Sequence, residues 1–181
     1  MRSQKLALIS SLASFGAVVY FLEAFIPFPL PFGHWGLSNL VVLIAVVLFD
    51  WKTVLLVAFL KSVLGSLVTG RLFSVVSMMS ITGSVTSALV EVLIYRTSIF
   101  GLVGVSVIGS VANNVTQSIT GALLVKSWSF LVILPQMLVF GIPGAILNAY
   151  LTERVVIRAK ESFGFSIPKK SEDTENDSGQ I

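Results

Sequence analysis

The chain has 181 residues, of which 55% are hydrophobic and only 12% charged, with a formal net charge of +3. A soluble domain carries roughly 25% charged residues, so this composition excludes an ordinary soluble protein. The basic residues stand at the ends of apolar runs rather than along one face, which excludes a nucleic-acid footprint, and the lack of cysteine excludes disulfide and thiolate chemistry.

Apolar runs of about 20 residues, the length that crosses a bilayer, recur along the chain. They predict an all-α integral membrane protein with six transmembrane helices at 6–26, 36–50, 52–69, 72–95, 101–125 and 128–151. The first run follows Arg2 and Lys5 but ends in no small-residue cleavage pattern, so it reads as a retained helix rather than a signal peptide. That helix carries the small-xxx-small pairs Ala7/Ser11, Ser10/Ser14 and Ala13/Ala17, which let another helix approach closely. The partner is either a neighbour in the same bundle or a separate membrane protein docking there, a second copy included.

The stretch "PFPLPFGHWGLSN" at 27–39 follows. Proline fixes φ and glycine permits tight turns, so it reads as a rigid loop presenting His34 and Trp35 to a ligand. The second run is short, about 22 Å at a helical rise, and fusing 36–69 into one tilted span would give five helices. The charges decide for six. Nine of the 12 Lys and Arg residues (Arg2, Lys5, Lys52, Arg96, Arg154, Arg158, Lys160, Lys169 and Lys170) then lie on one side with both termini. By the positive-inside tendency that side is the cytoplasm, which predicts a multi-pass protein of the cell membrane. Residues 1–160 read as the membrane domain and the polar segment 161–181 as a disordered cytoplasmic tail.

Ionisable and amide groups are costly inside a bilayer and usually face a cavity or a partner. Glu23, Asn39, Lys61, Asn113, Asn114 and Gln117 all fall in the outer half or at mid-depth of the predicted spans. Asn113/Gln117 and Asn114/Gln117 stand four and three residues apart, so one helical face holds all three. Glu91 is the exception, expected near the cytoplasmic end within reach of water or a basic neighbour. Such a distribution predicts a pocket open to the outside rather than a pore. Neutral amides and aromatic rings suit a flat, hydrogen-bonding, partly apolar ligand. One histidine without a carboxylate cluster does not suit a metal ion.

Neither catalysis nor ATP hydrolysis is expected of this chain. The aspartates Asp50, Asp173 and Asp177 are scattered, whereas ionising a diphosphate on magnesium needs them clustered. There is no G-x-x-x-x-G-K-[ST] phosphate loop, so any ATPase must come from a partner.

The segments "PFGHWGLSNLVVL", "KSVLGSLVTGRLFS", "SMMSITGSVTSALV" and "GLVGVSVIGSVANNVTQSITGALLV" together resemble the Gx transporter family, across residues 6–151. That family is also labelled heptaprenyl diphosphate synthase component I and is similar to the substrate-binding S components of energy-coupling-factor (ECF) vitamin transporters. The chain has His34 where the family usually has lysine, Asn113-Asn114 for His-Asn, and Lys61 for a common arginine. The resemblance implies a six-helix S-component-like bundle with an outward-facing site, partnered by ECF transmembrane and ATPase subunits or by a second copy. It also implies a flavin as bound ligand rather than as a catalytic cofactor. Trp35 and Phe73 are then candidates to stack on the ring, and Arg71, Lys126 or Lys61 to meet ribityl or phosphate oxygens. Another vitamin, an isoprenoid-related compound, or a non-catalytic role in membrane assembly are the alternatives.

Overall fold

The computed structural model describes residues 2–26 and 35–163, so His34 and most of the expected tail lie outside the described residues. Six helices carry the fold: α1 (Arg2–Glu23), α2 (Leu40–Leu48), α3 (Trp51–Val68), α4 (Val75–Thr97), α5 (Leu102–Val125) and α6 (Leu134–Phe163). Short 3-10 turns at Leu37–Asn39 and Trp128–Ile133 lead into α2 and α6. There is no strand among the described residues.

Local chemistry sets the helix ends. Asp50 caps α3 by accepting from the Thr53 amide at 3.4 Å and the Thr53 hydroxyl at 2.9 Å, so α2 and α3 are joined by only Phe49 and Asp50. Ser74 caps α4 by accepting from the Ser77 amide at 3.2 Å. Gly36 takes a left-handed φ of 78° ahead of the first 3-10 turn, a conformation open to glycine at little steric cost.

The elements differ from the predicted spans at their ends. Residues 24–26 form a turn rather than the end of α1, and α6 runs on to Phe163, past the expected stop at 151. The nine residues of α2 reach only about 14 Å, and every residue from Val41 to Val47 is buried. This helix packs against α3, α4, α6 and α1, so protein rather than lipid surrounds it, and it need not match the bilayer thickness.

Four helical segments are long and apolar enough to cross a membrane: Leu6–Glu23, Trp51–Val68, Val75–Thr97 and Trp128–Ala159. Large apolar side chains such as Leu6, Phe15, Leu93, Leu123, Leu147 and Ile157 face outward along the bundle. A soluble monomer rarely exposes so much contiguous apolar surface. The chain is a membrane protein. Helix α5 has the length to cross, but Asn113, Asn114 and Gln117 make it less apolar, and all three are buried within the bundle.

One apolar core joins α1, α2, α3 and α4 through Ile9, Val41, Val42, Val54, Val57, Ala88 and Val92. Against it lies the inward face of α1, where Ile9, Ala13, Gly16, Ala17 and Tyr20 are buried. The small residues of α1 therefore divide. Ala13 and Ala17 are used in packing within the bundle, chiefly against α3, while Ala7, Ser10 and Ser14 are exposed. The physical reason is helical phase: positions 13 and 17 share the stripe of Ile9 and Tyr20, and positions 7, 10 and 14 do not.

Candidate functional site

Between α1, α3, α4, α5, α6 and the 35–39 segment lies a cavity lined by polar side chains. Its volume is about 30 Å³. One water needs roughly 10–15 Å³, so the cavity takes a pair of waters or a compact head group. A whole vitamin would require the helices to part.

Lys61 stands on one wall at only 2% exposure. Its Nζ donates to Asn39 Oδ1 at 2.5 Å and to Ser38 Oγ at 3.3 Å. The Leu37 amide donates to a Glu23 carboxylate oxygen. Two buried charges, one from the end of α1 and one from the middle of α3, thus pin the 3-10 turn in place. Lys61 also lies within electrostatic range of both Glu23 and Glu91.

The opposite wall is built by an antiparallel ladder between α5 and α6. Ser106 Oγ donates to the Ala145 carbonyl at 2.8 Å, Ser110 Oγ to Gly141 at 3.4 Å, and Asn114 Nδ2 to Met137 at 3.1 Å. Each step is four residues on both helices, one turn at a time. Gln117 Nε2 donates to Asn113 Oδ1 at 3.1 Å, which orients both amides along α5. Asn114 therefore ties two helices together and lines the cavity as well.

Helix α4 supplies the third wall. Ser77, Ser80, Ser84, Ser87 and Glu91 recur at alternating three- and four-residue steps, all of them buried. Glu91 was expected to reach water or a basic neighbour near the end of its helix. Its basic neighbour is Lys61 inside the bundle, and water is not reached: Glu91 is 2% exposed and lines the cavity, because the serine stripe turns that face into the bundle. Ser87 Oγ lies 3.0 Å from Glu91 Oε1 and 2.9 Å from the Gly109 carbonyl. Its one hydroxyl proton serves only one of them at a time. Space for the carboxylate exists because position 109 is glycine; a Cβ there would collide with Glu91.

Of the residues singled out in the sequence, Trp35, Asn39, Lys61, Asn113, Asn114 and Gln117 line this cavity. Trp35 meets Phe140 edge-to-face with ring centroids 6.2 Å apart, and its carbonyl passes close over Gly144, where a side chain would not fit. Phe73 is not brought there. It sits in the turn between α3 and α4 at 88% exposure, too far along the chain past the end of α3 to share its inward face. Arg71 and Lys126 are likewise exposed and do not line the cavity. His34 lies outside the described residues.

Sequence reading missed Glu91, Asn148 and Tyr20 as lining residues. The signal for Glu91 was present in the serine spacing of α4. Asn148 continues the Gly141 and Ala145 face of α6, and it is 2% exposed. Its Nδ2 donates to the Gly36 carbonyl at 2.9 Å, so it anchors the start of the 3-10 turn. Among the described residues no three His, Cys, Asp or Glu side chains cluster as metal ligands.

The family described as heptaprenyl diphosphate synthase component I matches residues 12–155, a span that contains every residue lining the cavity. No curated protein and no solved structure matches the chain.

Proposed function

The chain belongs to the heptaprenyl diphosphate synthase component I family, and on that premise we propose that it is a substrate-binding membrane transporter subunit of the ECF S-component type. It captures a small vitamin-like ligand in the cavity between α3, α4, α5 and α6. One observation carries this reading: Lys61, Glu91, Asn113, Gln117 and Asn148 converge on a single space inside a bundle whose outer surface is apolar. Interhelical hydrogen bonds alone would not need that space. A synthase role for this chain by itself has little support, since a diphosphate held on magnesium needs clustered carboxylates.

The distribution of Lys and Arg supports a cell-membrane protein with both ends in the cytoplasm and the cavity nearer the outer side. The exposed small residues Ala7, Ser10 and Ser14 are where ECF transmembrane and ATPase subunits, or a second copy, would dock. A flavin is the ligand we assign first, because Trp35 offers an aromatic edge beside amide donors and acceptors.

Purification in mild detergent, followed by an absorption spectrum, mass spectrometry of what co-purifies, and titration with riboflavin, tests the proposal. A flavin spectrum or saturable riboflavin binding supports it. Another bound vitamin overturns the flavin assignment and keeps the transporter class. A well-folded protein that binds no small molecule favours a role in membrane assembly instead.

A further inference from the structure

Resting on the reading of the cavity as a ligand site, we infer that Glu91 and Asn148 form its recognition point for a nitrogen head group bearing N–H donors. Both side chains are 2% exposed and line the same cavity. Glu91 Oε2 and Asn148 Oδ1 each lack a hydrogen-bond partner. Both atoms are acceptors. The donor side of Asn148 is already committed to the Gly36 carbonyl, and the single Ser87 proton is contested between Glu91 Oε1 and Gly109.

Buried acceptors left without donors cost free energy, and a fold that seats a carboxylate over Gly109 gives up side-chain packing to hold it there. Both features are accounted for by a ligand that brings the missing protons. No hydrogen bond from the neighbouring amides or from Lys61 reaches Glu91 Oε2 or Asn148 Oδ1. Lys61 Nζ is engaged with Ser38 and Asn39, Gln117 Nε2 with Asn113, and Asn114 Nδ2 with Met137.

Glu91 lies about two turns before the end of α4 and Ser106 about one turn into α5. Glu91 therefore marks the end of the cavity nearest the α4–α5 connection, while Asn148 stands beside Gly36 on the 35–39 side. As it stands the cavity admits a head group at these acceptors, and the remainder of the ligand is seated only when the helices part. The chemistry read is the N–H group itself, whether a neutral imide, as in a flavin, or an amino group on a cationic heterocycle.

Thermal-shift and equilibrium binding of the full chain in detergent separate these sources with two probe pairs. Riboflavin is compared with 3-methylriboflavin, in which the imide proton is replaced by methyl. Thiamine is compared with oxythiamine, in which the amino group becomes a carbonyl. The expected result is that, in at least one pair, the N–H member binds the wild type tenfold or more tightly than its analogue. Glu91→Gln, which replaces one of the two carboxylate acceptors by an amide donor, reduces that preference to threefold or less. Equal binding within the pair that binds, or a preference unchanged in Glu91→Gln, overturns the inference and leaves the ligand cavity standing. No binding of any probe by a monodisperse wild type with which no small molecule co-purifies overturns both. The comparison of analogues on wild-type protein needs no variant to fold.

Discussion

The two sides of the bundle make opposite use of burial. Around α2 the interior is oil against oil: Val41, Val42, Ala45, Val54, Val57 and Ala58 interlock with no polar atom among their side chains. Around α4, α5 and α6 the interior is hydroxyl and amide against backbone carbonyl, and it is less apolar than the outer surface of the same helices. In lipid the first arrangement gains little from the hydrophobic effect, because a lipid tail is as apolar as leucine. It holds through close packing. The second holds through directed hydrogen bonds, and it lines a cavity with unmet bonding capacity. Function is therefore sought on the polar side and rigidity on the apolar side.

Three substitutions test that contrast. Lys61→Ala has the largest expected effect. It removes the donor to Ser38 and Asn39 and leaves Glu23 and Glu91 without their cation. Stranding a buried charge costs about 3–5 kcal/mol, and both thermal stability in detergent and ligand affinity should fall. A variant as stable as wild type would show that Lys61 is dispensable to the polar wall. Leu43→Ala comes next. Leu43 is 1% exposed beside Val105 and Ala149, and a Leu→Ala cavity costs about 2–5 kcal/mol. Here stability should drop while the ligand Kd of the folded fraction stays within about threefold of wild type, a change under 1 kcal/mol. A large loss of affinity would mean that the two sides are coupled. The smallest effect is expected for Phe73→Ala. An exposed side chain away from packed features changes stability by about 0.5 kcal/mol or less, and its distance from the cavity predicts unaltered riboflavin titration. Weakened binding would bring the α3–α4 turn back into the site.

Much of the architecture was legible because lipid imposes a simple rule. Every backbone group must be bonded within its own helix, so apolar runs report helices directly. The order of six helices and most of their extent followed from that, as did Lys61, Asn113, Asn114 and Gln117, which stand out as polar residues in apolar runs. The direction in which a face turns was less legible. Glu91 looked close enough to a helix end to be wet, and only the packing of α4 against α5 encloses it. Asn148 lies far along the chain from Gly36, and nothing local to either residue announces their hydrogen bond.

Composition and spacing by themselves determined that this is a helical membrane protein with polar residues held inside, since the cost of placing such groups in lipid depends on residue type alone. Tertiary structure decided which of them share one space. Ala13 and Ala17 turn inward while Ser10 and Ser14 stay out. Phe73 stays outside the cavity that Trp35 and Asn148 line. That outcome depends on helical phase and on contacts between distant segments, quantities set only when the helices pack together.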